Sequence, residues 1–217
     1  MTFLSASALR SAVTPDCTGS SPSQTGADHT INRLAVRDGA IGVKPILEDV
    51  LQPGLVTVFC GSAAGNRSAR LGQYYAGPGN RFWHILHEAG FTDRRLEPRE
   101  YREVVHHGLG LTDLAKFEFG NDDQLSSNAY LCSDLREKIE RYRPALLAFV
   151  AKKPAQRFIR EQFAMPVGNY GLQRVTLGNT RIWVLPSTSA RARKYWHEKP
   201  WHDLARQHRR IRLGKGS

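Results

Sequence analysis

The sequence predicts a three-layer α/β/α sandwich around a mainly parallel central sheet. Three observations predict it. Short apolar runs of buried-strand type, Val56-Thr57-Val58-Phe59 and Ala145–Val150, are bounded by turn residues rather than extended to helical length. Amphipathic stretches lie between and around them, the clearest being 128–142, with Leu131, Leu135, Ile139 and Tyr142 on one face. Strands that alternate with helices in this way build a parallel sheet covered on both sides. The 217 residues suffice for one such domain with a sizeable core.

Residues 1–45 are rich in Ser, Thr, Ala, Gly and Asp without sustained periodicity, and read as a disordered or loosely packed extension. A single folded domain is expected over 46–217. Ile46, Leu47, Val50 and Leu51 lead into Gln52-Pro53-Gly54, a turn ahead of the first core strand. That strand, Val56–Phe59, breaks into Gly61-Ser62-Ala63-Ala64-Gly65, where a backbone without bulky side chains can approach a ligand. A long loop carrying Tyr74 and Tyr75 follows, then a helix over 81–89 with Phe82, Trp83, Leu86 and Ala89 at helical spacing.

The stretch 97–105 reads as a second helix, opened by Pro98 in its first turn. Residues 108–114 are a short strand or turn. Pro144 ends the amphipathic helix 128–142 and a buried strand follows at 145–150; residues 154–163 are helical. The runs 174–177 and 180–186 form a hairpin about Gly178-Asn179, or two separate strands. A basic helix from about Lys199 to Arg212 closes the chain.

The formal net charge is +11, from 31 Lys and Arg against 20 Asp and Glu. Such a surplus points to a polyanion, nucleic acid before anionic membrane, although a basic protein without such a partner has the same composition. Cys17, Cys60 and Cys132 show no paired spacing, which suggests neither a zinc site nor a disulfide framework and fits a reducing cytoplasm. No apolar run nears the ~20 residues that span a bilayer. A secretory leader is not expected either.

Two strand ends with small-residue loops stand out as ligand-binding places in an open α/β sheet. One is Gly61–Gly65. The other follows the run TRIWVLP: Ser187-Thr188-Ser189-Ala190-Arg191-Ala192-Arg193-Lys194, small and polar first, then strongly basic. Together they suit a pocket beside a phosphate backbone. On pattern alone, two ordinary strand-to-helix turns with a solvated basic patch are the commoner arrangement.

The stretch TVFCGSAAGNRSARLGQYYAGPGNRFWHILHEAGFTDRRLEP, followed by TRIWVLPSTSARARKYW, resembles the uracil-DNA glycosylase superfamily over roughly residues 46 to 210. It is similar to the mismatch-specific uracil (thymine) branch, with first motif FCGxNPG continuing to PxNRFW and second motif WVLPNPSG. Gly61-Ser62, Gln73-Tyr74-Tyr75-Ala76 and Leu185-Pro186-Ser187-Thr188-Ser189 look more like the hypoxanthine branch.

The resemblance implies hydrolysis of the N-glycosidic bond of a deaminated base turned out of DNA, uracil first; the small residues Ala63, Ala64 and Gly65 are expected to leave room for hypoxanthine or xanthine as well. It implies no metal or organic cofactor and a monomer acting on single- or double-stranded DNA. A catalytically weak or inactive lesion-binding protein of the same fold is the alternative.

The first motif places Ser62 and Ala63 at catalytic positions. The family's water-positioning Asn is Ala63 here, which offers no side-chain hydrogen bond. The following Pro is Ala64, and the second-motif Asn is Ser187. Asn80 matches a catalytic Asn of the hypoxanthine branch, and Asn is equally an ordinary helix N-cap. Tyr75 matches the ring that stacks on the extruded base, with Gly61, Ala64, Gly65, Ser68 and Ser187 around that base. Ser189, Ala190, Arg191 and Ala192 match the second motif and the wedge that fills the vacated stack. Arg191 stands where an apolar residue is usual, and could stack between bases or bind a phosphate. Arg193, Lys194, Arg206, Arg209 and Arg210 are expected to face phosphates.

Overall fold

The computed structural model describes residues 44–214. The expected extension 1–45 lies outside the described residues apart from Lys44 and Pro45. In chain order the regular elements begin with β1 (Thr57–Ala64), α1 (Asn66–Leu71) and α2 (Phe82–Glu88). A 3-10 segment (Pro98–His107), β2 (Leu109–Phe119), α3 (Cys132–Tyr142), β3 (Leu146–Phe149) and α4 (Lys152–Phe163) follow. The chain continues through β4 (Gly171–Leu177), β5 (Thr180–Val184), a 3-10 turn (Ala190–Tyr195) and α5 (Lys199–Gly214).

The strands form one sheet in the order β2-β1-β3-β5-β4. Four run parallel, and only β4 pairs antiparallel, as the hairpin partner of β5. This is the sandwich that the alternation predicts. Both sheet faces are covered, so successive strand residues alternate between two apolar layers. Phe59, Leu146, Ala148, Trp183 and Leu185 pack with Phe82, Trp83, Ile85 and Leu86 of α2 and with Trp201 and Leu204 of α5. Val58, Cys60, Leu147, Phe149, Ile182 and Val184 pack instead against Leu135 and Ile139 of α3 and Ala155, Phe158 and Ile159 of α4. Each fully buried large side chain contributes roughly 1.5–3 kcal/mol relative to exposure.

Five expectations change. Strand β1 runs on through Gly61–Ala64 rather than breaking there, because parallel pairing with β2 continues to Ala63↔Ala115 before a register shift. Helix α1 occupies part of the expected loop. The 97–105 helix is a 3-10 segment, capped reciprocally by Glu97 and Glu100. The expected short strand or turn at 108–114 is the start of an eleven-residue strand from Leu109, whereas 128–131 are not helical: Tyr130 bridges to Ala115 instead.

His208, on α5, holds that helix to the sheet. Thr57 Oγ1 lies 2.9 Å from its Nδ1, and its Nε2 donates to the His107 carbonyl at 3.1 Å. A ring that donates through Nε2 and accepts through Nδ1 is neutral, and burial pushes its pKa down to about 4.

Candidate active site

The carboxyl ends of β1, β2 and β3 and the segment after β5 open into one cavity of about 1030 Å³. Ser62, Ala63, Ala64 and Gly65 line it from β1 and its exit, Ser68 from α1, and Tyr75 and Asn80 from the loop before α2. Ser187, Ser189, Ala190, Arg191 and Ala192 line it from the far side. The two stretches that the sequence marks as separate halves therefore meet. A main-chain bond closes the join: the Arg81 N–H donates to the Thr188 carbonyl at 2.9 Å. Arg193 and Lys194 are exposed and are not among the residues that line the cavity.

Tyr75 is held in an unusual way. Its φ is +53°, left-handed backbone that a residue bearing Cβ adopts at a cost of roughly 1–2 kcal/mol. The strain is offset by packing and by the turn's hydrogen bonds. Its ring stacks on Phe82 at 3.7 Å between centroids and 16° between planes. The Ala76 N–H donates to Ser68 Oγ at 3.0 Å, and Trp83 Nε1 donates to the Tyr74 carbonyl at 3.1 Å. Ser68 is thus a buried brace for the turn as well as a wall residue. The Tyr75 hydroxyl is buried without a hydrogen-bond partner among the described residues.

Asn80 combines the two roles open to it. Its Oδ1 accepts the Phe82 N–H at 3.0 Å, at the entrance of α2. That bond fixes the amide's orientation and leaves Nδ2 without a partner among the described residues, on the cavity wall. Asn80 consequently offers the cavity a donor first, and only the second lone pair of its oxygen as an acceptor.

Ser187 and Ser189 are turn-forming. Ser187 Oγ accepts the Ser189 N–H at 3.3 Å, and Ser189 Oγ accepts the Arg191 N–H at 3.4 Å as it opens the 3-10 turn. Of the α5 arginines expected to face phosphates, Arg210 is exposed, whereas Arg209 and Arg206 have protein partners. Arg209 donates to the Ala89 and Gly90 carbonyls, and Arg206 pairs with Asp203. Arg209 thus satisfies carbonyls at the end of α2.

One residue escaped the sequence reading altogether. Asp113, on β2, lies opposite Gly61 in the parallel register and lines the cavity while only 6% exposed. A Cβ on Gly61 would stand 2.3 Å from Asp113 Oδ1 and 3.4 Å from the Tyr75 hydroxyl. Glycine there lets a carboxyl and a phenol converge on one patch of backbone. The Asp113 carboxyl has no hydrogen-bond partner among the described residues. Burial drives its pKa up to about 7, Lys116 pulling it back and Asp49 adding to the rise. Only the placement of an Asp inside the apolar run GLGLTDLA could have drawn attention to it.

A family profile described as the uracil DNA glycosylase superfamily matches residues 48–206. The chain belongs to that superfamily. The solution structure of a candidate uracil DNA glycosylase from Methanosarcina acetivorans is similar in fold, with a TM-score of 0.54 and 21% identity. That similarity covers 75% of this chain and 96% of the archaeal one. Within this superfamily member the strand ends, the second-motif segment and the cavity wall apart from Leu47 fall inside the matched residues.

Proposed function

We propose that this protein is a monofunctional DNA glycosylase that hydrolyses the N-glycosidic bond of a deaminated base turned out of DNA. Superfamily membership supports the reaction class. The observation that carries the reading is the convergence of Tyr75, Asn80 and Asp113 in one cavity with the second-motif segment. A base entering it would stack on the Tyr75 ring, whose other support is Phe82. Asp113 would read the base's polar edge. A neutral carboxyl pairs one donor with one acceptor, the complement of a carbonyl beside an N–H. Uracil, hypoxanthine and xanthine all present that lactam edge, so the same floor suits all three.

The bond from base to C1′ breaks with its electron pair leaving on the base, and a water oxygen forms the new bond to C1′ as one of its O–H bonds breaks, that proton ending on the departed base. Negative charge therefore grows on the base. The free Nδ2 of Asn80 and a protonated Asp113 are the donors that would meet it. Asn80 is better placed to hold the base than to accept a proton from water, because Oδ1 is committed to Phe82. With Ala63 in the first motif, water is left to the substrate's own oxygens and the backbone.

That same deficit favours the second reading, a lesion-binding protein with little catalysis. Incubation with oligonucleotides containing uracil, hypoxanthine or xanthine, followed by alkali, separates the two. Strand cleavage at the lesion that disappears in Asn80→Ala supports the enzyme. Lesion binding without cleavage at enzyme excess supports the alternative.

A further inference from the structure

We infer that the cavity mouth carries a stacking platform for an unpaired nucleobase beside the extruded one, so that the partner this site selects is single-stranded DNA. The inference rests on the DNA reading above. Tyr195 ends the 3-10 turn after β5, and Tyr170 stands at the approach to β4; both line the cavity that holds Tyr75 and Asn80. Tyr195 is 63% exposed, a large ring left in water with no packing role in either apolar layer. Burial first, and then Tyr195, raises the pKa of Tyr170.

Each ring has its own cation. Lys152 Nζ lies 4.7 Å from the Tyr170 ring centroid, and Lys194 Nζ lies 5.9 Å from that of Tyr195. His197 meets Tyr170 edge to face at 5.2 Å. A lone exposed tyrosine needs no explanation. Two tyrosines from distant segments, each beside a lysine and both on the rim of the same cavity, match the alternating ring and phosphate of a nucleotide strand. Asp122 and Asp123 line the cavity as well, and Lys153 Nζ donates to the Asp122 carbonyl beside them.

In a duplex, the bases that flank an extruded nucleotide stay paired and stacked, so free rings gain nothing from them. Phosphate contacts, by contrast, are common to both forms. Stacking is therefore the component that distinguishes the strands.

The test is fluorescence anisotropy of the full chain with an undamaged labelled oligothymidylate and with a duplex of equal length, over a range of salt. Tyr195→Ala is expected to weaken single-strand binding about tenfold or more, the range of one lost base–aromatic stack. Duplex affinity should stay within about twofold, and the slope of affinity against salt should not change. Tyr195→Phe should bind as the parent does, and Tyr170→Ala should repeat the single-strand loss. Equal losses on both DNA forms, or no loss in Tyr195→Ala, overturn the platform while leaving the glycosylase reading intact. Failure of the parent protein to bind either DNA overturns both.

Discussion

Asp49 and Asp113 are two carboxyls withdrawn from water beside the same strand, and their surroundings drive them in opposite directions. Asp49 accepts hydrogen bonds from Thr112 Oγ1 and Lys116 Nζ, each at 2.6 Å, and pairs with Lys138 at 2.8 Å. Burial alone would raise its pKa, but these partners outweigh burial and hold the carboxyl below its ordinary value. Asp113, one residue from Thr112, has burial without the partners, and its pKa rises. The first aspartate ties β2 and α3 together. The second is kept unsatisfied at the floor of a cavity, where a ligand can complete it. Desolvation alone does not mark a functional carboxyl; desolvation without a partner does.

The sharpest break of this comparison is Asp49→Ala. It strands Lys116, which is only 4% exposed, and should destabilise the fold by about 3–5 kcal/mol in urea unfolding at pH 7. Asp113→Asn should move stability the other way. A raised carboxyl pKa weakens the fold as pH climbs from 3.8 to about 7, so removing the charge should stabilise the protein above pH 7. If both substitutions destabilise equally, the contrast fails.

Acid loss of stability has a different source. His208 has a depressed pKa, so the unfolded chain binds its proton first. Stability should fall as pH drops from 6.5 toward 4, by roughly 3 kcal/mol in all. His208→Gln, measured across that window, should flatten the fall.

Activity sharpens the same contrast. Asp113→Ala should lower single-turnover uracil excision about a hundredfold, the loss typical of one donor to developing charge. Parent activity should decline as pH rises through about 7, because an ionised Asp113 repels the departing base, and Asp113→Asn should lose that decline. Gly61→Ala, whose Cβ collides with Asp113 Oδ1, should cost about 1–3 kcal/mol of stability and displace the carboxyl. Tyr75→Phe should have the smallest effect, within about 1 kcal/mol on stability, since its hydroxyl has no partner to lose.

The layered fold was legible because buried runs and amphipathic stretches alternate cleanly between Val56 and Arg212. Helix α1 was not, since Asn66–Leu71 is short and has no apolar stripe. The full length of strand β2 was hidden by Thr112, Asp113 and Lys116, polar residues that occupy buried strand positions only because partners or a cavity await them. Local sequence carries no trace of either. Motif resemblance located Tyr75, Asn80 and Ser187 on the wall, whereas Asp113 emerged only from the register that sets it opposite Gly61. The arginines of α5 illustrate the converse: a basic helix looks like a phosphate-binding face until Arg209 is seen spent on carbonyls.

The hydrogen bond from the Arg81 amide to the Thr188 carbonyl joins segments that lie far apart along the chain. Its proton leaves for solvent only when the two sides of the cavity separate. Deuterium uptake at that single amide therefore clocks the opening of the site, and a lesion analogue that holds both sides at once should slow the clock.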